Sequence, residues 1–266
     1  MIKLVFSKMV ASGNDFVVMY PSKQIAQLAK FAKIICDRKY GVGADGLLIL
    51  SNAGPGSIKM RIFNADGSEA EMCGNGARCA ALFAGKKNIN IKTLAGIIAA
   101  RLEQNNVKIR LTEPKGIKLG INLSVNGRAL RADFINTGVP HAVILVEGIE
   151  KLDVFGIGRL VRYHKEFSPA GTNVDFIEVL NKNSIRVRTY ERGVEDETLA
   201  CGTGSVASAL IFALKTDLCN MVKVHTQSGE ILKVYFKRKI NQFSDVWLEG
   251  SAKLVYKGEY RCLKAR

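Results

Sequence analysis

Short runs of alternating apolar and polar residues, broken by Gly, Asn and Ser turns, dominate this chain, and a period of two is the pattern of half-buried strands. Runs over 2–9, 15–20, 46–50, 58–63, 89–93, 97–102 and 107–111 predict the strands of the first half. One amphipathic helix interrupts them, with Ser22 placed to cap it and Ile25, Leu28, Ala29, Ala32 and Ile35 at helical spacing. The second half keeps this order. Strands over 130–135 and 142–146 lead to a helix near 157–163, then to strands over 175–180 and 184–189, and the end holds strands over 223–225, 230–236, 246–249 and 252–256. In each half a more uniformly apolar run follows a Cys-Gly-x-Gly sequence. Cys73-Gly74-Asn75-Gly76 leads into residues 80–84, and Cys201-Gly202-Thr203-Gly204 into 207–214. Each predicts a buried helix with its cysteine at or beside the N-cap, the first stopping near Gly85. A sheet curled around its most hydrophobic helix buries both partners, so the expected class is α+β: two pseudo-symmetric lobes, each a curled, mostly antiparallel sheet around a central helix.

The two halves repeat each other in detail. Gly171-Thr172-Asn173-Val174-Asp175 precedes Cys201 by the same interval at which Gly43-Ala44-Asp45-Gly46 precedes Cys73. Gly13-Asn14-Asp15-Phe16 is matched, with a slightly shifted offset, by Gly138-Val139-Pro140-His141. Three landmarks in one order mark a duplicated domain. The expected lobes are 1–115, carrying Cys73, and 116–251, carrying Cys201, with the tail 252–266 packing back on the first. A ligand site is expected in the cleft between lobes, where the two helix starts can converge.

Composition narrows the partners. With 47% hydrophobic and 24% charged residues over 266 positions, the chain can bury a full core. The net charge of +15 attracts anions without naming one. The densest basic cluster, Lys237-Arg238-Lys239 beside Tyr235 and Phe236, reads as the solvated face of a strand, so no nucleic-acid partner is expected. The N-terminus alternates like a strand and no apolar run approaches the ~20 residues of a membrane span, so the expectation is a cytoplasmic protein without a membrane partner. The 6 cysteines then read as free thiols, with Cys36, Cys79, Cys219 and Cys262 as small buried hydrophobes. Cys73 and Cys79 do not align as metal ligands, and His141, His164 and His225 lack metal-like spacing; no metal is expected. The glycine loops fit neither a dinucleotide fingerprint nor a Walker loop.

Two thiols on two helix starts suggest acid–base chemistry at carbon. The first turn of a helix leaves N–H groups unpaired and carries partial positive charge, which favours a thiolate and cradles an anion. On this reasoning each thiol pKa falls from about 8.5 toward working pH. One thiolate could remove a proton from one face of a carbon while the other thiol delivers one to the opposite face, inverting a stereocentre without redox chemistry. Amides of Gly74, Asn75, Gly202 and Thr203 could hold an adjacent carboxylate as charge develops. A Cys–His nucleophile would need only one thiol.

The motifs 64–68, 72–79, Glu191-Arg192-Gly193 and 200–204, with 13–16, 41–46 and 171–175, closely resemble the diaminopimelate epimerases over nearly the whole chain. Proline racemases share a cysteine pair but typically carry histidine where Asn75 stands, and the phenazine-type isomerases lack the pair. The resemblance implies cofactor-independent interconversion of LL- and meso-2,6-diaminopimelate, on the route to lysine and peptidoglycan, by a small-molecule enzyme that could form a homodimer. It implies Cys73 and Cys201 as base and acid, and Gly74, Asn75, Gly202 and Thr203 around the reacting carboxylate. Asn14, Asn64, Asn173 and Arg192 become substrate contacts, Glu191 orients the amine and His141 assists catalysis. Gly46 and Val139 depart from the glutamine and asparagine often found in the family. Fewer polar partners discriminate less sharply, so a broader amino-acid racemase, active also on glutamate, is the alternative within enzymes. A catalytically silent amino-acid-binding protein is the alternative outside them.

Overall fold

The computed structural model describes residues 2–23, 25–104, 106–216, 220–240 and 242–262. Cys219, the side chain of Cys262 and residues 263–266 of the expected tail lie outside them. The chain divides into two compact units, Met1–Ile109 with Gly250–Arg266, and Arg110–Glu249.

The first unit holds β1 (Ile2–Ala11), β2 (Asn14–Met19), α1 (Leu28–Cys36), β3 (Gly46–Asn52), β4 (Ser57–Asn64), β5 (Glu69–Ala70), α2 (Gly74–Ala84), β6 (Asn88–Thr93), β7 (Gly96–Glu103) and β8 (Asn106–Arg110). The last strand of the chain, Lys253–Cys262, lies antiparallel on β1 from Ile2↔Cys262 to Val10↔Lys253. From that strand the ladder runs β1, β2, β3, β4, β6, β7, β8. The β2/β3 and β4/β6 pairs are parallel and the rest antiparallel. One sheet face packs on α1 through Phe31, Ala32, Ile35 and Cys36, which meet Leu4, Phe6, Val17, Leu47 and Phe63. α2 packs against β1, β2, β4, β6 and β7. Its residues from Asn75 to Ala81 are all buried, as an apolar helix enclosed by a sheet requires. Gly85 ends it at φ 66°, donating its N–H to the Ala81 and Leu82 carbonyls, a conformation that favours glycine.

The second unit repeats this topology. β9 (Lys115–Val125), β10 (Arg128–Asn136), β11 (Pro140–Leu145), α3 (Val154–Arg162), β12 (Asn173–Asn181), β13 (Ser184–Glu191), β14 (Asp196–Thr198), α4 (Gly202–Leu214), β15 (Met221–His225), β16 (Ile231–Lys239) and β17 (Gln242–Ser251) follow in order. Here the ladder is β9, β10, β11, β12, β13, β15, β16, β17, again with two parallel pairs, β11/β12 and β13/β15. α3 takes the place of α1, packing through Val154 and Val161 on Val174, Phe176 and Tyr190. α4 takes the place of α2, buried without a break from Gly204 to Ala213 and packed against β10–β13, β15 and β16.

Several sequence expectations need correcting. Ser22 caps no helix: its carbonyl accepts from Ile25 N–H in a turn, Ile25 packs on the core without being helical, and α1 starts after Gln27. α3 starts earlier than its periodicity suggests, because the Asp153 carboxylate accepts from Gly156 N–H at 2.8 Å. The sequence pattern predicts no strand between 112 and 129, where the structure has β9. Gly116 and Gly120 adopt φ 66° and 70°, and the register against β10 shifts at Phe134, so these glycines mark irregularities inside a strand. In the basic cluster, Arg238 donates to the carbonyls of Ala213 and Thr216, satisfying groups at the end of α4.

Candidate active site

In the first unit Cys73 is the N-cap of α2, with extended backbone (φ −144°, ψ 122°) and its thiol accepting from Gly76 N–H at 3.4 Å. The extended approach comes from β5, and Gly76 seats the first turn of the helix against Leu48 and Ile62, where an added Cβ would lie 3.3 Å from Leu48. Asn75 is tied into a chain of side chains. Its amide donates to Asn14 Oδ1 at 2.6 Å, and its Oδ1 accepts from Arg78 at 2.6 Å. Asn14 in turn donates to Asp45 at 3.1 Å. Arg78, fully buried, reaches the Ser12 hydroxyl at 2.6 Å and the Ser251 carbonyl at 3.1 Å. At the far end Arg38 forks the Asp15 carboxylate and bonds Asp45 at 2.6 Å, while Lys8 sits 2.7 Å from Asp15. Burial works against the Asp15 anion, yet Arg38 and Lys8 hold its carboxyl well below the usual range. The network fixes which end of each amide at Asn14 and Asn75 points where.

Asn64 ends β4 opposite Gly46, and its amide donates to the Ser68 hydroxyl at 2.9 Å. A Cβ at Gly46 would lie 3.0 Å from the Phe63 carbonyl and 3.4 Å from the Phe16 ring. Local packing therefore gives a reason for glycine here apart from any ligand.

The second unit builds a denser site. Cys201 is the N-cap of α4, and its thiol lies 3.4 Å from Thr203 Oγ1. Thr203 Oγ1 is 3.0 Å from His141 Nε2, and His141 Nδ1 is 2.7 Å from Asp175 Oδ2; His141 and Asp175 are fully buried. Asp175 Oδ1 accepts from the Thr189 hydroxyl at 2.7 Å. A Cβ at Gly204 would overlap Asp175 Oδ1, so glycine lets the first turn of α4 rest on that carboxylate. Asn173 donates to the Pro140 carbonyl at 3.0 Å and accepts from Arg192 N–H at 2.8 Å, joining β11 to the turn after β13. The Arg192 guanidinium meets the Ala170 carbonyl at 3.2 Å. Glu191, half-buried at the end of β13, has its carboxyl pushed up by burial, with the Thr198 hydroxyl and His141 opposing.

The expected lowering of both thiol pKa values is wrong for Cys201. Burial pushes this thiol well above its ordinary value, and the negative charges of Glu191 and Asp175 push further; the Thr203 hydroxyl and the Gly204 N–H oppose them and lose. A helix start alone does not set the sign. The structure thus brings Asn14 and Asn75 together near Cys73, and His141, Thr203 and Glu191 around Cys201. It adds Asp175, Arg78 and Asp45, which stand in the sequence motifs without an assigned role, and Arg38, which stands in none. Alternation held a signal for Asp175: Val174 and Phe176 face the α3 core, so Asn173 and Asp175 put polar groups on the opposite buried face. Among the described residues no group of three or more His, Cys, Asp or Glu side chains is placed to hold a metal ion.

Comparison with known proteins follows the same lines. A profile described as diaminopimelate epimerase matches residues 6–116 and 134–254. The diaminopimelate epimerase of Aquifex aeolicus is 42% identical, covering 95% of this chain and 96% of its own; that of Hydrogenobaculum is 40% identical over 96% and 98%. Among solved structures, a phenazine biosynthesis protein of the PhzF family from Bacillus anthracis superposes with a TM-score of 0.75 at 18% identity, covering 98% of this chain and 100% of that one. A probable proline racemase from Agrobacterium radiobacter gives 0.71 at 14%, over 97% and 93%. At such identities these two establish a shared fold. The relatives and the profile establish more: this chain belongs to the diaminopimelate epimerase family.

Proposed function

We propose that this chain is an isomerase that converts LL-2,6-diaminopimelate to the meso form by proton exchange at one Cα, with Cys73 and Cys201 as the exchanging base and acid. The observation that carries the reading is the pair of cysteine N-caps, each opening the enclosed helix of a unit with the same strand order. Inversion by proton exchange needs a base on one face of the carbon and an acid on the other. Both protons move between sulfur and carbon, so the reading requires no cofactor. The first-turn amides at Gly74, Asn75, Gly202 and Thr203 are groups a helix leaves unpaired, suited to a carboxylate whose charge grows as Cα loses its proton. Asn14, Asn64, Asn173 and Arg192 take the remaining polar groups of substrate, Glu191 its amine, and His141 supports Cys201. The lobes 1–115 and 116–251 contribute one thiol each; the two compact units support that division.

Thiols used as acid and base must stay reduced, which supports a cytoplasmic setting. Among the described residues no helix is long and apolar enough to cross a membrane. A homodimer finds support on the first unit, where Val5, Tyr20 and Leu254 stand exposed at a cavity of about 640 Å³. The substrate is tested by chiral chromatography of LL-diaminopimelate incubated with the reduced protein, with glutamate and proline in parallel. Conversion of diaminopimelate alone is the expected result. Equal turnover of glutamate would favour the broader racemase, and binding without conversion the silent binding protein.

A further inference from the structure

One hydroxyl touches both His141 and Cys201. Thr203 Oγ1 lies 3.0 Å from His141 Nε2 and 3.4 Å from Cys201 Sγ. The direction of each hydrogen bond follows from the far end of the chain of contacts. Asp175 Oδ1 is taken by the Thr189 hydroxyl, and Oδ2 lies 2.7 Å from His141 Nδ1. A carboxylate only accepts, so the imidazole proton sits on Nδ1 and Nε2 of the neutral ring is an acceptor. Thr203 then donates its O–H to Nε2, and its oxygen lone pairs are left to accept the S–H of Cys201. A second contact steadies this arrangement: the Thr137 hydroxyl donates to the Thr203 carbonyl at 3.1 Å.

We propose that Thr203 is a catalytic proton relay between Cys201 and His141, and that Asp175 is the positioning residue that keeps Nε2 open to receive the proton. As Cys201 becomes the base, its S–H bond breaks and the proton goes to Thr203 Oγ1 while the Thr203 O–H proton passes to Nε2. A thiolate and an imidazolium result, Thr203 is unchanged, and no electron leaves or enters. The reverse transfer restores the thiol. The titratable groups facing the thiol are Glu191 on β13, Asp175 on β12 and His141 on β11. Both carboxylates oppose a thiolate, and desolvation raises the cost, so a site of this kind needs a nearby acceptor for the thiol proton. The Asp175 carboxylate beside Nδ1 offsets the positive charge of the imidazolium that forms.

The proposal rests on the epimerase reading and deepens it. The experiment follows LL-diaminopimelate conversion by the full chain, as wild type and as Thr203→Val, Thr203→Ser, Thr203→Ala and Asp175→Asn. The backbone N–H of residue 203 survives every substitution, so KM should hold while kcat falls about 100-fold in Thr203→Val and Thr203→Ala, the scale of one proton-transfer contribution. Thr203→Ser should recover most of that loss. Rates in H2O–D2O mixtures should bow in the wild type and Ser variant, where several protons move together, and fall on a straight line in Thr203→Val. Asp175→Asn should lower kcat with the relay's bowed curve lost. A Thr203→Val or Thr203→Ala enzyme with kcat within about 3-fold of wild type overturns the relay while leaving the epimerase reading intact. Wild-type protein that converts nothing removes both.

Discussion

Two opposing fields meet at Cys201. The start of α4 favours a thiolate, whereas burial and the charges of Glu191 and Asp175 disfavour it, and the second set prevails. Cys-Gly-x-Gly before an apolar run makes the helix start visible in the sequence. The burial that reverses the expected shift, and the carboxylates on β12 and β13 that add to it, are not announced by anything local to Cys201. Cys36 shows the desolvation effect away from the site. Only 2% exposed at the end of α1, its thiol is pushed up by burial from an ordinary 9.0 to about 11. The unfolded chain therefore releases this proton first, and stability falls as pH rises from about 9 through about 11. By about pH 10.5 the loss from this one group should be about 2 kcal/mol. Urea unfolding of wild type and Cys36→Ala at about pH 8 and about pH 10.5 measures it. The variant should lose less stability over that interval by about this amount, and identical losses would contradict the assignment.

Among the elements, alternation located strands such as β6 and β16, where every second residue is buried, whereas β3 and β12 open as stretches buried on both faces. It failed where glycine carries a strand through positive φ, as at Gly116 and Gly120 in β9, since the same residues in sequence mark turns. It failed for the start of α1 as well, where Ile25 contributes to the core from a turn. Helix-to-sheet distance was not legible, although single glycines set it. A Cβ on Gly158 of α3 would lie 2.5 Å from Tyr190 Cβ and 2.8 Å from its Cγ, and Tyr190 is 1% exposed with no room to withdraw. Gly158→Ala should therefore push α3 off β13 and cost about 1–3 kcal/mol, the usual range for overpacking. Thermal melting would show it as a clear fall in Tm, and an unchanged Tm would mean that α3 packs more loosely than described.

At the scale of the whole molecule the duplication was the most readable feature. Spacing between Gly43 and Cys73, repeated between Gly171 and Cys201, records an interval of strand–strand–helix start that each unit needs to close its ladder in the same order. What spacing could not give is the difference between copies. Asn75 is held through amides and Arg78, while Thr203 is held through His141 and Asp175. The exposed apolar face of the first unit carries a prediction of its own. Sedimentation at micromolar concentration should show a dimer, and Val5→Glu should shift it toward monomer; a monomeric wild type would refute the assembly. The central claim is that two thiols exchange Cα protons on opposite faces, and its most direct test is NMR of LL-diaminopimelate in D2O, under reducing conditions, sampled before equilibrium. Deuterium is expected at Cα of the meso product with almost none in recovered substrate, and no product from Cys73→Ala or Cys201→Ala. Deuterium appearing equally early in recovered substrate, or full activity in either cysteine variant, would contradict it.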